Sequence, residues 1–401
     1  MIAAERKEMM VMAGFIDEIA GCMPTSPDAQ IPWGRIDQLL SPSCFSGMKT
    51  TQQNPAYHGE GDVYTHTQMV CRELAGTSAF YELPVRQQSE LFLAAVLHDI
   101  GKVKTTRREG GEWVSPHHAY TGSLIAREFL WQNCGICGTQ ELINYRETVC
   151  TLIRYHMLPV HLLSQEKPER RVREIAAIGE LAADFSWHLL CMLAEADVKG
   201  RIADDIEEGL AQVELSRLMA EDAECLHAPY HFADSFTRRA YLSGRNVPPD
   251  QLLYDDTWGE VIMLSGLPGT GKDTWLSQYY PDMPMVSLDG LRAELEVKPT
   301  DNQEKVIQAA RQRAKEYLRN KQPFVWNATD LKKDTRHKLI GLFERYGARV
   351  RIVYLETDRE TRETRNAGRT ETVPEGAVAR MLGKTMLPTL DEAQTVEWLC
   401  I

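Results

Sequence analysis

Between Gly61 and Ile202 apolar residues recur every three to four positions, in VYTHTQMV, ELFLAAVL, HAYTGSLIAREFL, ETVCTLIRYHML and SWHLLCMLAEAD. That period predicts helices throughout this half of the chain. Beyond Trp258 the pattern shortens to EVIMLSG, PMVSL, PFVWNAT and ARVRIVYLE, brief apolar runs with helical stretches between them. Such alternation predicts a parallel sheet covered by helices. Between the halves a charged helix leads into CLHAPYHFADSF and VPPDQLLYDDTW, where Pro and Asp clusters mark a boundary. The N-terminal residues predict an amphipathic helix followed by a connector with Pro24, Pro27, Pro32 and Pro42. The expected organisation is a multidomain α and α/β chain: an extension over 1–50, an all-α domain over 51–205, a helical connector over 206–257 and an α/β domain over 258–401.

The chain has 401 residues, more than one core usually holds, which agrees with two domains. Its formal charge of −12 excludes a uniformly basic nucleic-acid coat. Residues 258–401 hold 22 Lys+Arg against 21 Asp+Glu, so the negative charge falls on the helical half, and the other half can present a local basic groove. Nine cysteines, among them Cys71, Cys150 and Cys191 on apolar helices, suit reduced thiols. The lone C-x-x-C of Cys134 and Cys137 reads as a loop. The apolar run that follows Arg6, Lys7 and Glu8 ends at Asp17, too soon for a signal peptide or a membrane span. The expected location is the cytoplasm, with no membrane partner.

His98 and Asp99 end the apolar run LFLAAVL, where burying two polar side chains is costly unless something such as a divalent metal compensates. His66, His118, His156 and Asp197 each sit on or at the end of another apolar helix. Six nitrogen and oxygen donors exceed the needs of one tetrahedral ion, and their count favours two. Imidazole and carboxylate suit Mn, Fe, Co, Ni or Zn, and a pair of such ions can clamp a phosphoryl group. Lys102 and Arg201 could neutralise its oxygens. His117 competes with His118 for its role, and a mononuclear site would need only His66, His98, Asp99 and Asp197. His58 and Glu60 fit outer ligands, substrate groups or helix caps equally. Cys225, His227 and His231 have ligand-like spacing, but Pro229 disrupts the segment and they are not taken as a metal site. The order H, HD, H, H, D, with HDIGK and ADVKGR as its best-marked pieces, resembles the HD phosphohydrolase superfamily over about residues 50–205.

GLPGTGKDT follows the strand VIMLS and precedes a helix, the context of a phosphate-binding loop. Gly266, Gly269, Thr270, Gly271, Lys272, Asp273 and Thr274 would wrap the phosphates of ATP, with Lys272 reaching the β and γ oxygens. Asp273 stands where a Ser or Thr usually binds Mg²⁺, though a carboxylate can also hold that ion. Asp289 either caps the helix GLRAELE or accepts the proton of an attacking hydroxyl, with Arg292 placed to grip an acceptor phosphate. Arg362, Arg365 and Arg369 lie at helical spacing, so Arg365 and Arg369 can project from one face, on a solvated helix or on a lid that neutralises the moving phosphoryl group.

The G-x-P-G-x-G-K loop, the D-x-x-R after the second strand and the R-N-x-x-R lid before V-P look like phage-type polynucleotide 5′-hydroxyl kinases. With the upstream HD module, the chain from about residue 50 resembles the HD-domain polynucleotide kinase family of bifunctional RNA end-healing enzymes. The resemblance implies a general base at Asp289, acceptor contact at Arg292, lid contacts from Arg365 and Arg369, and phosphohydrolase roles for His66, His98, Asp99, Lys102, His118, His156, Asp197 and Arg201. Asn327 departs from it, since related kinases carry an acidic residue there; Thr329 or Asp330 could replace it. The expected function is ATP-dependent phosphorylation of 5′-hydroxyl ends and metal-dependent removal of 2′,3′-cyclic, 3′ or 2′ phosphate, on RNA more than DNA, with a nucleic-acid ligase as partner. An HD nucleotidase fused to a nucleoside or small-metabolite kinase is one alternative. An ATP-sensing module that binds without transferring is another.

Overall fold

The computed structural model describes residues 14–369 and 371–401. Residues 14–20 are helical; the earlier part of the amphipathic helix expected at the N-terminus lies outside the described residues. The chain divides into two compact units, 1–136 with 141–230 and 137–140 with 231–401. No helix of the described residues is long and apolar enough to cross a membrane.

The first unit is built from α1 (Val63–Ala75), α2 (Val85–Leu97), α3 (His118–Gln132), α4 (Gln140–Tyr155), α5 (Trp187–Lys199) and α6 (Ile206–Asp222). Asp62 caps α1 by accepting from the Thr65 amide, and Ser186 does the same for α5 from Leu189. In α2 every residue from Ser89 to Leu97 is buried, because its second half is apolar on all sides. α1 and α5 pack against it and against each other. One feature departs from the helical pattern expected here: Arg107–Glu109 pairs antiparallel with Glu112–Val114. Gly110 and Gly111, at φ +60° and +93°, supply the left-handed turn that such a hairpin needs. Cys134 and Cys137 lie in the loop after α3 and form no disulfide.

The second unit carries β1 (Glu260–Ser265), β2 (Met285–Ser287), β3 (Phe324–Asn327), β4 (Arg349–Glu356) and β5 (Thr395–Cys400) in one parallel sheet of order β2-β3-β1-β4-β5. A helix over Ser235–Leu242 precedes the sheet, and α7 (Lys272–Tyr279), α8 (Leu288–Glu294), α9 (Glu304–Arg319), α10 (Lys333–Arg345), α11 (Arg359–Ala367) and α12 (Glu375–Leu382) alternate with or follow its strands. The central strands β1 and β3 are buried on both faces and read as continuous apolar runs. Sequence periodicity found four of the five strands. β5, an edge strand in TVEWLC, escaped it because its polar and apolar residues alternate rather than form a run. The chain leaves β1 towards β2 on one side, while β4 occupies the other, so the carboxyl end of β1 is a switch point where α/β sheets bind ligands.

Candidate metal centre and kinase site

The apolar helix α2 ends with His98 and Asp99, carrying them into the interior of the first unit, where they are 0% and 1% exposed. α1 brings His66, α5 Asp197, the start of α3 His118 and the residue after α4 His156. His117 adopts a left-handed conformation at φ +55° and stays exposed, which turns the chain so that His118 is buried. Two glycines permit close approach. A Cβ on Gly101 would lie 2.0 Å from the His118 carbonyl oxygen, and one on Gly200 would lie 2.7 Å from the Val70 backbone nitrogen.

Each of the four imidazoles is anchored through Nδ1 to a carbonyl oxygen: His66 to Gly200 (3.0 Å), His98 to Ala95 (2.8 Å), His118 to Ser115 (2.8 Å) and His156 to Ile153 (2.9 Å). A carbonyl only accepts, so Nδ1 carries the proton and each Nε2 is offered inward, as metal-binding histidines require. His66 Nε2 is 3.3 Å from His98 Nε2 and 2.9 Å from Asp197 Oδ1. The two oxygens of Asp99 face different partners, Oδ2 towards His98 (3.3 Å) and Oδ1 towards His118 (3.3 Å) and His156 (3.9 Å). Both oxygens are buried without a well-directed hydrogen bond, although Lys102 Nζ lies 2.7 Å from Oδ2. His66, His98 and Asp99 bring donor atoms within 4.8 Å of one another, and so do Asp99, His118 and His156, and His98, His156 and Asp197. This set of imidazole and carboxylate donors fits divalent metal, which His66, His98, Asp99, His118, His156 and Asp197 would hold.

The electrostatics agree with that use. Burial pushes His156 down to about 3 and also lowers His118, keeping neutral imidazoles suited to ligation. Burial would raise Asp99, but Lys102 and His98 outweigh it and hold the carboxyl well below its ordinary value. Asp197 is held down in the same way, chiefly by its hydrogen bond with His66. His66 meets acceptors on both nitrogens, which against the opposing effect of burial raises it to about 9. A metal on Nε2 would replace that proton.

Glu60 resolves a choice the sequence left open. Its Oε1 lies 2.8 Å from His58 Nδ1 and 3.1 Å from His66 Nδ1, while Oε2 accepts from the Ile202 amide at 3.0 Å. It therefore orients His66 from behind and does not cap α1, a role that Asp62 fills. Lys102 Nζ also donates to Gln53 Oε1 at 2.7 Å. Arg201 lies past the end of α5, with Asp205 at 3.8 Å. His227 stacks near His188, their rings 4.9 Å apart.

In the second unit the phosphate-binding loop joins β1 to α7. Gly266, Gly269 and Gly271 have φ of +147°, +85° and +85°, and a Cβ on Gly269 would meet the Arg362 carbonyl oxygen at 2.6 Å. Thr270 Oγ1 donates to the Leu267 carbonyl at 2.9 Å, and Lys272 Nζ curls back to the carbonyls of Gly266 and Leu267, each at 2.9 Å. Burial lowers Lys272 to about 8, opposed by Asp273. Asp273 and Thr274 are exposed in the first turn of α7.

Asn327, at the end of β3, donates from Nδ2 to Asp273 Oδ1 at 2.7 Å. A phosphate-binding loop usually offers a hydroxyl on its helix and a carboxylate on the neighbouring strand to Mg²⁺. This chain has the carboxylate on the helix and the neutral amide on the strand, so one carboxylate is kept but has changed sides. Its second oxygen remains available to a magnesium ion. Asp330 is buried and pushed up to about 7 by burial, with Oδ2 unsatisfied; Thr329 contributes its carbonyl to the Gly266 amide at 3.0 Å.

Asp289 does not cap α8. Ser287 accepts from the Gly290 amide, and Asp289 stands exposed in the first turn, ion-paired with Arg292 and, at 3.3 Å, with Arg369. Arg292 Nε also donates to Gln303 Oε1 at 2.7 Å. α11 ends at Ala367 with Gly368 as its C-cap, so Arg369 lies beyond the helix and does not share a helical face with Arg365 as its spacing suggested. Arg365 Nη1 would lie 3.0 Å from a Cβ on Gly271, beside the phosphate loop. Arg362 is buried.

A family model described as HD domain matches residues 62–184, and one described as AAA domain matches residues 261–388. No curated protein gives a significant match to the chain. The HD match stops short of Asp197, which α5 delivers to the same cluster. HD domains bind divalent metals, and P-loop kinase domains use ATP with Mg²⁺. The chain thus joins a helical HD domain to a P-loop kinase-like domain with a five-stranded parallel sheet.

Proposed function

We propose that this chain heals broken nucleic-acid ends, RNA in the first place, by removing a terminal 2′,3′-cyclic, 3′ or 2′ phosphate at the HD centre and phosphorylating a 5′-hydroxyl at the P-loop site. An HD phosphohydrolase joined to a P-loop kinase already supports a bifunctional nucleotide-processing enzyme. What favours a polynucleotide acceptor is the single arrangement of Asp289 between Arg292 and Arg369 beside the phosphate loop. A free nucleoside has no neighbouring phosphate for Arg292 to hold. The Asp289 carboxylate would accept the 5′-hydroxyl proton as that oxygen bonds to the γ-phosphorus and the bond to ADP breaks. Arg365, Arg369 and Lys272 supply positive charge to the phosphoryl group in transfer.

At the HD centre His66, His98, Asp99, His118, His156 and Asp197 would hold the ions. Divalent ions there polarise the phosphate ester and lower the pKa of water. Lys102 adds a cation beside Asp99, and Glu60 fixes the tautomer of His66.

The test is an oligonucleotide with a 5′-hydroxyl and a 2′,3′-cyclic phosphate, incubated with Mn²⁺, Mg²⁺ and labelled ATP beside a matching mononucleotide. Label gained at the 5′ end together with loss of the terminal phosphate, on the oligomer, is the expected result. Turnover confined to the mononucleotide would move the assignment to nucleotide metabolism. ATP binding without any product would make the second unit a sensor.

A further inference from the structure

Most of the unpaired positive charge of α9 and α10 among the described residues is gathered in one place. A groove of about 430 Å³ runs between the two helices, walled by Arg311 and Lys315 on one side and His337, Lys338 and Arg345 on the other, with Gly341 in its floor. No carboxylate lines it. Three further cations of the same helices are spent on structure: Arg313 pairs with Glu294, Lys333 with Asp391 and Arg336 with Glu392, at 2.6–3.1 Å, while Lys305 and Arg319 of α9 lie outside the groove. The four Arg and Lys of the groove have no such partner among the described residues. Like charges held together without counter-charges repel, so this grouping costs stability unless an anion offsets it.

The charges form rows rather than a point. Arg311 and Lys315 are one helical turn apart, and Lys338 and Arg345 two, a spacing of about 5.4 Å per turn. A row of cations suits a chain of phosphates better than a single one. α9 also starts beside the acceptor site: α8 packs on it, and Arg292 is hydrogen-bonded to Gln303, the residue before its first turn. Arg311 follows about 12 Å farther along the helix axis. We infer that the α9–α10 groove holds the phosphodiester backbone of the acceptor strand, downstream of the 5′ end presented to Asp289. This rests on reading the second unit as a polynucleotide kinase.

Gly341 allows a clean test. A Cβ there meets nothing within 4 Å and its backbone is helical, so Gly341→Glu places a carboxylate in the groove without strain, and Gly341→Ala is its control. Binding of a fluorescent 5′-hydroxyl single strand of about 12 nucleotides to the full chain would be followed by anisotropy across a salt series. Gly341→Glu and the triple variant Arg311→Gln/Lys338→Gln/Arg345→Gln should each weaken binding about tenfold or more at low salt. In the triple variant the log–log salt slope should shrink by about 0.7 for each lost phosphate contact. Gly341→Ala should bind as the parent does. The kcat/KM for a nucleoside 3′-monophosphate, too short to reach the groove, should be unchanged in all variants. Unaltered binding of the 12-mer, as expected if the groove serves an acidic protein instead, overturns the inference. So does an equal loss on the monophosphate, which would mark damage to the fold. If the parent enzyme phosphorylates neither substrate, the kinase reading itself fails; if it phosphorylates the 12-mer and the groove variants match it, only the groove assignment does.

Discussion

The HD centre and the P-loop site handle the same chemical group with opposite degrees of exposure. At the first, Asp99 and His66 are almost fully buried, and every imidazole is tied to a backbone carbonyl before any ion arrives. At the second, Asp289 is 69% exposed and its partners Arg292 and Arg369 are side chains that can swing. A metal centre loses affinity if its ligands must be reorganised, so the fold fixes them in the interior. A kinase must admit two substrates, and cations paired with an exposed carboxylate can be handed to a phosphate at little cost.

Separate removal of each centre tests that contrast most severely. Asp99→Ala should bring phosphohydrolase activity below detection while leaving 5′ phosphorylation intact. Asp289→Ala should lower the kinase kcat by ~10²–10⁴-fold, the contribution of a general base, and spare the phosphohydrolase. Loss of both activities in either variant, with the fold preserved by circular dichroism, would deny two independent sites.

The transposed carboxylate offers a sharper cut within the exposed site. Asp273→Thr should weaken Mg²⁺-dependent ATP binding and reduce turnover by at least about 10²-fold, the scale of a lost metal contact. Adding Asn327→Asp should restore both, because one carboxylate again faces one neutral partner across the 2.7 Å contact. Calorimetry of ATP with and without Mg²⁺ reads the first effect independently of catalysis; no recovery in the double variant would show that the pair does not serve the metal.

At the buried site, Glu60→Ala should leave all six donors in place yet reduce metal affinity by about 10–100-fold, since His66 keeps the Gly200 carbonyl but loses its carboxylate partner at Nδ1. Glu60→Gln, which can still accept at one oxygen, should recover part of it in a Mn²⁺ titration. An unchanged titration would relegate Glu60 to the packing of Ile202. The smallest effect concerns pH. Burial lowers Lys272 to about 8, so its ammonium is present below that value and lost above it. ATP affinity should therefore fall as pH rises through 8, roughly tenfold by pH 9 if bound phosphate keeps the lysine charged. A flat profile between pH 7 and 9 would mean that the ammonium stays protonated throughout.

Much of this was legible before folding. The Gly-rich loop needs only a strand, three permissive residues and a helix in succession, all local. The Nδ1 anchors of His98, His118 and His156 reach back just three residues, so a histidine at a helix end already carries its orientation. The hairpin at Gly110 and Gly111 was legible too, in a double glycine between short extended runs, although helical periodicity obscured it. Arg369 misled because spacing extends a helix that Gly368 in fact ends.

Sequence by itself determined the two chemistries, their order along the chain, and which residue types stand at helix and strand ends, because these follow from short-range periodicity and local hydrogen bonds. Tertiary structure alone decided which of them meet. His66 and Asp197 are 131 residues apart yet their Nε2 and Oδ1 lie 2.9 Å from each other, Asp273 and Asn327 are 54 apart and share a hydrogen bond, and four cations on two helices face one groove. Such pairings depend on how helices pack and strands order themselves. That is a property of the whole core, which no local pattern of apolar residues encodes.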